Sequence, residues 1–201
     1  MALLFAKNNS LSAVTALPAS ISGGGLNLIS TQTASSSATI DFTSGIDSTY
    51  KEYLFRFYNI HPATNNSSFQ FQGSTDSGSS YGVSITSSFF QAYHAEDGSA
   101  TSLSYNANND LGNSTSFQII ADTTGNGDDE SASGFLHLFS PSDTTFVKNF
   151  IAIDNHSYNG AYSINDFSGG YFNTTSAINA IQFKMSSGNI DSGTIKLYGV
   201  S

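Results

Sequence analysis

The sequence Ser68-Phe69-Gln70-Phe71-Gln72-Gly73 alternates apolar and polar side chains with a period of two. Successive side chains of a β-strand point to opposite faces, so Phe69 and Phe71 share one face while Gln70 and Gln72 share the other. The pattern therefore predicts a strand that buries the phenylalanines and turns the glutamines toward solvent. Helical periodicity is scarce in the rest of the chain, so strands of this kind decide the fold class.

The same period of two recurs from Leu26 onward. Within residues 50–59, Tyr53, Phe55 and Phe57 share one face, and the opposite face is also largely apolar. This stretch predicts a strand that is buried on much of both faces. Further strands are predicted at residues 38–43, 81–87, 89–94, 102–106, 115–121, 133–140, 145–154, 158–164, 177–185 and 194–200.

Glycine, asparagine and aspartate separate these strands, as in Thr75-Asp76-Ser77-Gly78 and Ser187-Gly188-Asn189. These residues tolerate the positive φ angles of tight turns, and their side chains can bond to the freed backbone amides. A parallel sheet would need crossover helices, and the sequence offers no candidate helix. The chain is therefore predicted to be all-β, with an antiparallel, jelly-roll-like β-sandwich over residues 26–201.

Residues 1–25 are predicted to form an extended N-terminal arm, joined to the sandwich by the hinge Ser22-Gly23-Gly24-Gly25. A secretory signal peptide is not indicated, because the positive charge of Lys7 follows a short apolar run instead of preceding it. An arm that docks on a neighbouring subunit and a frayed terminus are the two alternatives. The apolar side chains predicted to attach the arm are Leu3, Leu4, Phe5, Leu11, Val14 and Leu17.

The composition excludes several classes of partner. Fifteen acidic residues against six basic ones give a net charge of −9, so nucleic acids and anionic lipids are not expected partners. No stretch approaches the ~20 apolar residues of a membrane-spanning helix, so no membrane insertion is predicted. Cysteine is absent, which excludes disulfides and thiolate metal sites.

The sequence contains no recognisable catalytic or metal-binding motif. His61, His94, His137 and His156 lack the spacing of H-x-x-x-H or H-E-x-x-H. The many serines do not include G-x-S-x-G in a strand–turn–helix context. No catalytic, cofactor-binding or metal-ligating residue is therefore predicted, and the chain is expected to be non-enzymatic.

The acidic segment Asp122–Glu130 leaves two alternatives open. Its glycines and oxygen-bearing side chains are typical of calcium-binding loops, although the ligand order of an EF-hand is missing. The adjacent carboxylates of Asp128, Asp129 and Glu130 could also serve a polysaccharide depolymerase, in which two acids flank the scissile bond. A solvated turn is the simpler explanation of the same residues.

Tyrosines beside amide and carboxylate side chains indicate a carbohydrate-binding surface. An amphipathic ring can stack on a sugar while neighbouring amides and carboxylates bond to its hydroxyls. Burial in the core or in an interface is the competing explanation for each ring. The residues predicted to contact a glycan are Tyr93, Asn108, Asp110, Tyr158 and Tyr171.

Residues 37–50 (SATIDFTSGIDSTY) and 185–200 (MSSGNIDSGTIKLYGV) resemble a family of small structural proteins of tailed bacteriophages, especially phages of aquatic bacteria. Residues 52–57 (EYLFRF) and 69–76 (FQFQGSTD) are similar to the same family. The resemblance covers roughly residues 27–201, and the N-terminal arm departs from it most.

The resemblance implies a virion-associated and often trimeric protein without catalytic residues. We therefore expect a non-enzymatic structural component of the virion outer surface, which the N-terminal arm attaches to other virion proteins. A tail fibre or baseplate appendage and a capsid decoration protein are both compatible with this expectation, and a homotrimer is the expected assembly. The alternative is a carbohydrate- or receptor-binding adhesin module that contacts host surface polysaccharide.

Overall fold

The computed structural model describes residues 25–201. The predicted arm, with its attachment residues Leu3, Leu4, Phe5, Leu11, Val14 and Leu17, lies outside the described residues except for Gly25. Residues 25–201 form β-strands without any helix, and so contain no helix that is long and apolar enough to cross a membrane. The strands are β1 (Leu26–Ser37), β2 (Ile40–Phe42), β3 (Glu52–Pro62), β4 (Ser67–Ser74), β5 (Ile85–Ala95), β6 (Thr101–Tyr105), β7 (Gln118–Thr124), β8 (Ala132–Phe139), β9 (Lys148–Tyr158), β10 (Tyr162–Phe172), β11 (Ala180–Met185) and β12 (Ile190–Val200).

The strands pair in an antiparallel manner and form two sheets. The larger sheet has the order β1-β12-β3-β8-β9-β10-β5-β6, and the smaller sheet has the order β2-β11-β4-β7. The chain therefore crosses repeatedly between a β1-β12-β3-β8 layer and a β2-β11-β4-β7 layer, which is the jelly-roll arrangement. The predicted all-β, antiparallel, jelly-roll-like β-sandwich is confirmed.

Two hairpins extend the larger sheet beyond the jelly roll. In sequence, β5–β6 lies between β4 and β7, and β9–β10 lies between β8 and β11. The hairpins pair with each other through β10 and β5, and they join the jelly roll through β9 and β8. Strand β7 of the smaller sheet packs over β9 and β10. The candidate site lies on this extension.

Phenylalanine rings fill much of the space between the sheets. The ring centroids of Phe55 in the larger sheet and Phe183 in the smaller sheet are 5.3 Å apart, with planes inclined at 62°. Phe71 and Phe150 meet across the sandwich at 5.1 Å and 87°. These rings are buried, and edge-to-face pairs add to the stabilisation that comes from burying their area.

Strand β4 is more deeply buried than its sequence predicts. Phe69 and Phe71 lie in the core as expected, but Gln72 on the opposite face is also fully buried. Its Nε2 donates hydrogen bonds to the backbone oxygens of Thr115 (3.1 Å) and Ser116 (2.9 Å). The prediction that Gln72 faces solvent is wrong, because the segment that leads into β7 covers this part of the smaller sheet.

Several strand boundaries also differ from the prediction. The strand predicted at 158–164 instead spans the turn between β9, which ends at Tyr158, and β10, which begins at Tyr162. The strands predicted at 81–87 and 89–94 are joined in one strand, β5, which begins only at Ile85, so residues 81–84 lie outside it. Strand β1 was not predicted, because its sequence of serine, threonine and scattered aliphatic residues shows no clear apolar alternation.

Candidate functional site

An open cleft of about 350 Å³ lies at one end of the two inserted hairpins. Strands β5 and β10 and the end of β9 provide one side of the cleft, and β7 and the β3–β4 turn provide the other. The cleft therefore depends on the hairpin extension rather than on the jelly roll alone. Its lining residues are Asn66, Gln91, Tyr93, Thr123, Tyr158, Tyr162 and Ile164.

Three tyrosine rings gather in this cleft. The ring centroids of Tyr93 and Tyr162 are 5.6 Å apart at an interplanar angle of 80°, and those of Tyr158 and Tyr162 are 6.0 Å apart at 57°. All three side chains are half-buried, so part of each ring stays open to solvent. Asn66 and Gln91 add amide groups at the same place. Aromatic faces beside amides can stack on a sugar and bond to its hydroxyls.

The structure brings together two of the five residues predicted to contact a glycan. Tyr93 and Tyr158 both line the cleft. Asp110 accepts a hydrogen bond from a tyrosine hydroxyl at the end of β6, and Asn108 lies in the turn just before it. Tyr171 lies near the far end of β10, about 23 Å along the strand from Ile164, the nearest cleft residue of that strand. The five residues therefore do not form one surface.

Three ionisable side chains are buried beside the cleft. Asp154 and His156 alternate onto the inner face of β9, and Asp166 pairs directly with Asp154 across the β9–β10 hairpin. His156 Nδ1 lies 2.9 Å from Asp154 Oδ2 and 4.0 Å from Asp166 Oδ2. None of these side chains is accessible to solvent, so a dissolved substrate does not reach the imidazole. We call these three residues the buried triad.

Hydrogen bonds link the buried triad to the cleft and to the smaller sheet. Gln91, which lines the cleft, donates from Nε2 to Asp166 Oδ1 at 2.9 Å. The backbone amide of Asp122 in β7 donates to Asp166 Oδ2 at 2.7 Å. Both oxygens of Asp166 are therefore bonded to neighbouring strands, and the triad connects β5, β7, β9 and β10.

Burial dominates the electrostatics of the triad. Burial raises the pKa of Asp154 to about 6, and burial together with the charge of Asp154 raises the pKa of Asp166 to about 7. Burial alone would lower the pKa of His156, but its hydrogen bond to Asp154 and the nearby carboxylate charges outweigh burial and raise the pKa. Near neutral pH the isolated triad therefore favours states in which its groups share protons.

The acids of the segment Asp122–Glu130 do not place three ligand atoms within 4.8 Å of one another, although Asp128, Asp129 and Glu130 line one open cavity. Asp122 points away from the loop, and its Oδ1 accepts a hydrogen bond from the hydroxyl of Ser68 at 3.0 Å. Glu130 turns back onto the loop, where Oε2 accepts the backbone amide of Gly127 at 2.6 Å. Among residues 25–201, the buried triad is the only group of three such residues whose potential ligand atoms lie within 4.8 Å of one another.

The outer face of the larger sheet carries a continuous apolar row. The row consists of five side chains, one from each of β8, β9, β10, β5 and β6, and each is paired with the next across adjacent strands. The rings of Phe167 and Phe90 in this row are stacked, with their centroids 4.8 Å apart and their planes inclined by only 3°. The row lies at the protein surface, where Phe90 is 42% exposed and Tyr105 is 58% exposed. We call this set the outer apolar row: Phe135, Ile153, Phe167, Phe90 and Tyr105.

The chain matches no protein-family model, no curated protein and no solved structure. Its function therefore has to be argued from its own geometry. The three features available for that argument are the tyrosine-lined cleft, the buried triad and the outer apolar row.

Sequence reasoning missed the buried triad, although one signal of it is present in the sequence. Asp154 and His156 are two residues apart, which places both side chains on the same face of a strand. Asp166 joins them only through the register of the β9–β10 hairpin. Because the predicted strand at 158–164 ran through the turn, that register was not available from the sequence.

Proposed function

We propose that this chain is a non-enzymatic structural component of the bacteriophage virion outer surface, and that copies of it assemble through the outer face of the larger sheet. The outer apolar row is the observation that carries the proposal. Soluble monomers seldom expose a contiguous apolar patch of this kind, and such patches mark interaction surfaces. The sequence resemblance to phage structural proteins supplies the virion context.

A second row extends the apolar face to the opposite edge of the sheet. This row consists of one side chain from each of β1, β12, β3, β8 and β9, and each is paired with the next across adjacent strands. At the two ends of this row, Leu28 is 57% exposed and Ile151 is 48% exposed. The two rows share β8 and β9 and together cross all eight strands of the sheet, although the second row contains His137, which contacts Glu52, and Leu54, which is buried. The members of the second row are Leu28, Tyr198, Leu54, His137 and Ile151.

Charge on this face does not oppose self-association. The charged side chains that alternate outward along its strands are Glu52, Asp191, Arg56 and Lys196, two negative and two positive, although the whole chain has a net charge of −9. The guanidinium of Arg56 lies 5.9 Å from the centre of the Tyr198 ring, and this cation–π contact stabilises its positive charge. Most of the excess negative charge therefore lies elsewhere.

A further copy of the same chain is the occupant that fits this face. Eight strands at ~4.8 Å spacing make the face about 34 Å wide, which is large enough for the roughly 800 Å² that each partner buries in a standard interface. In a cyclic trimer each contact is heterologous, so one part of the face on each copy meets a different part of the face on the next copy, and every copy buries the same residues. The family resemblance implies a trimer, so we propose a cyclic homotrimer.

Two further points support a structural rather than enzymatic role. Among residues 25–201, the buried triad is the one cluster in which burial and neighbouring charges raise the pKa of several groups, and it is closed to solvent. In the Asp122–Glu130 segment, Asp122 bonds to Ser68 and Glu130 bonds to the backbone amide of Gly127, so the carboxylates of these two acids are engaged in structural hydrogen bonds. Within the virion, the arm at residues 1–25 is proposed to attach the sandwich to other virion proteins, either on the tail or on the capsid.

Oligomeric state in solution tests the assembly. Sedimentation velocity of the full chain is expected to give a trimer, and Phe167→Asp is expected to give a monomer, because it places a charge in the middle of the outer apolar row. Thr175→Asp is the matched control, since it adds the same charge at an exposed position in the β10–β11 loop. A monomeric wild-type chain at micromolar concentration would contradict the proposal.

Location in the particle tests the virion role. Mass spectrometry of purified particles of the encoding phage is expected to detect the chain in fixed stoichiometry, and antibody labelling in electron micrographs should place it on the tail or on the capsid. A chain lacking residues 1–24 should still fold but should not be incorporated. Absence of the full-length chain from purified particles would refute a virion role.

Binding of host surface polysaccharide is a second candidate function, and the tyrosine-lined cleft favours it. Three half-buried rings and two amides in a cleft of about 350 Å³ offer both stacking and hydrogen bonding to a sugar. This function is compatible with a virion protein, because an exposed fibre can itself contact the host.

Glycan binding by matched tyrosine variants tests this second function. Tyr158→Ala is expected to weaken binding on a glycan array and in calorimetry by about tenfold, because it removes one stacking surface. Tyr171→Ala is the control, since it removes the same side chain far from the cleft. Equal losses in both variants, or no binding by the wild-type chain at millimolar glycan, would argue against the cleft as an adhesin site.

A further inference from the structure

We infer that Asp154, His156 and Asp166 form a buried binding site for one divalent transition-metal ion of the zinc type. They offer one imidazole nitrogen and two carboxylates, a donor set that zinc and its first-row neighbours use in proteins. Among residues 25–201 no other group brings three such ligand atoms within 4.8 Å of one another. Because the site is inside the fold, its ion would stabilise the hairpin extension instead of acting on a substrate.

The distances fit a shared ion. An ion about 2.1 Å from each ligand atom holds those atoms roughly 3 to 4 Å apart. His156 Nδ1 lies 2.9 Å from Asp154 Oδ2 and 4.0 Å from Asp166 Oδ2. All three ligand atoms lie within 4.8 Å of one another, so the side chains have to close by about 1 Å at most to bind one ion.

The charge balance also favours a cation. Asp122 adds a third carboxylate, whose charge acts on Asp154 and His156. The ion pairs found within residues 25–201 all involve histidine, so no lysine or arginine pairs with these carboxylates there. A divalent ion would displace the protons that the triad otherwise shares, and it would neutralise Asp154 and Asp166 while the imidazole is neutral, the form that a metal ligand requires.

Two buried atoms of the triad have no hydrogen-bond partner among the described residues. They are Asp154 Oδ1 and His156 Nε2, and both belong to fully buried side chains. A buried carboxylate oxygen without a partner is costly, and an ion bound to Asp154 Oδ2 can engage Oδ1 as well. Because His156 Nε2 has no partner, the position of the ring depends on Nδ1 facing the two carboxylates.

Surrounding groups hold the ligands in place. Asp166 accepts hydrogen bonds from Gln91 Nε2 at 2.9 Å and from the amide of Asp122 at 2.7 Å. Partners of this kind orient metal-ligating carboxylates and contribute to metal affinity. Gln91 also lines the cleft, so its movement offers an ion a route from solvent to the triad.

Zinc uptake by the full chain tests the site. After removal of metals with a chelator and dialysis against Zn²⁺, elemental analysis is expected to find one zinc ion per chain. Free Zn²⁺ at about a hundredfold above Kd should raise Tm by roughly 5 °C or more, whereas Ca²⁺ should not, because it prefers oxygen ligands. Absence of zinc uptake, or a Tm rise with Ca²⁺ but not with Zn²⁺, would overturn the inference.

A pair of matched aspartate variants assigns the ion to the triad. Asp166→Asn preserves the shape of the side chain but removes one charged ligand, and it is expected to weaken zinc binding at least about tenfold. Asp191→Asn is the control, because Asp191 lies beside His61 in a more exposed pair at 3.8 Å. Loss of binding in Asp191→Asn with retention in Asp166→Asn would overturn the assignment.

Spectroscopy on folded protein decides the outcome where Asp166→Asn does not fold. X-ray absorption of the zinc-loaded wild-type chain is expected to show one imidazole together with oxygen ligands. The Co²⁺-loaded wild-type chain and the Co²⁺-loaded Asp191→Asn variant should share the same visible absorption bands. Absence of imidazole scattering, or loss of the bands in Asp191→Asn, would overturn the inference.

Discussion

Asp154 and Asp166 lie directly opposite each other across the β9–β10 hairpin, on the face that packs toward the smaller sheet. Like charges at such cross-strand positions destabilise a sheet, and burial adds the cost of removing each carboxylate from water. Hydrogen bonds from Gln91 and from the backbone amide of Asp122 engage Asp166, and His156 contacts Asp154. The stability of this hairpin therefore depends on the groups that surround the two carboxylates.

Gln91→Ala tests that dependence. The variant removes the donor to Asp166 Oδ1 and leaves a buried oxygen without its partner, so the free energy of unfolding should fall by about 1–3 kcal/mol. Urea denaturation measures the change. Gln32→Ala, at an exposed position of edge strand β1, should change the free energy by less than about 0.5 kcal/mol. Equal losses of unfolding free energy in both variants would show that the hydrogen bond from Gln91 to Asp166 does not stabilise the fold.

Gly170→Ala is expected to destabilise the fold where β10 and β5 approach closely. A Cβ atom at Gly170 would overlap the backbone oxygen of Thr86 and lie 2.8 Å from the Cα of Ser87, so the strands would have to separate. The expected loss is about 1–3 kcal/mol in the free energy of unfolding. Gly169→Ala is the control, because its Cβ would meet its nearest atom, the backbone oxygen of Phe150, at 3.9 Å. Equal losses would contradict this explanation.

The fold class followed from the sequence because it depends on local signals. Alternating residues such as Phe69 and Phe71, with turn residues between the strands, were sufficient to predict an antiparallel sandwich. The pairing of β10 with β5 was beyond reach, because it joins residues that are distant in the chain, and the register of the β9–β10 hairpin was missed because the strand predicted at 158–164 ran through its turn. Burial of Gln72 likewise depends on a segment more than forty residues away.

The candidate site was only partly predictable for the same reason. Tyr93 and Tyr158 were chosen for their chemistry, and the structure places both in one cleft. Tyr171 was chosen on the same grounds, yet it lies near the other end of β10. The chemistry of a side chain can be read from sequence, but the position of a site depends on where the hairpins turn. The turn between Tyr158 and Tyr162 was the missing information.

Phe183→Ala is expected to cost about 3–5 kcal/mol of stability, because the large cavity it creates lies between the two sheets. Phe183 is fully buried, with Phe69 stacked on it at 5.6 Å and Phe55 at 5.3 Å. Phe146→Ala is the matched control, since Phe146 is 70% exposed and its removal should cost less than about 0.5 kcal/mol. Guanidinium denaturation measures both values. A small loss for Phe183→Ala would mean that the sheets close over the gap.

Asp76 organises the turn that follows β4, and its charge is used within the turn. Its Oδ1 accepts hydrogen bonds from the hydroxyl of Ser74 at 2.6 Å and from the amide of Ser80 at 2.9 Å, and its Oδ2 accepts the hydroxyl of Ser80 at 2.5 Å. The hydrogen bonds from Ser74 and Ser80 lower the pKa of Asp76 from 3.8 to about 2. The folded turn therefore favours the ionised form.

This shift predicts the pH dependence of an Asp76→Asn variant. Because the folded protein holds the proton less tightly than the unfolded chain, the stabilisation by Asp76 is present above pH 3.8 and is lost as the pH falls through about 2. The difference in Tm between wild type and Asp76→Asn should therefore be largest near neutral pH and should shrink toward pH 2. Asp129→Asn, at an exposed loop carboxylate, serves as the control for a general effect of lost negative charge. A Tm difference for Asp76→Asn that stays constant from pH 7 to about pH 2 would mean that the turn depends on the shape of the side chain and not on its charge.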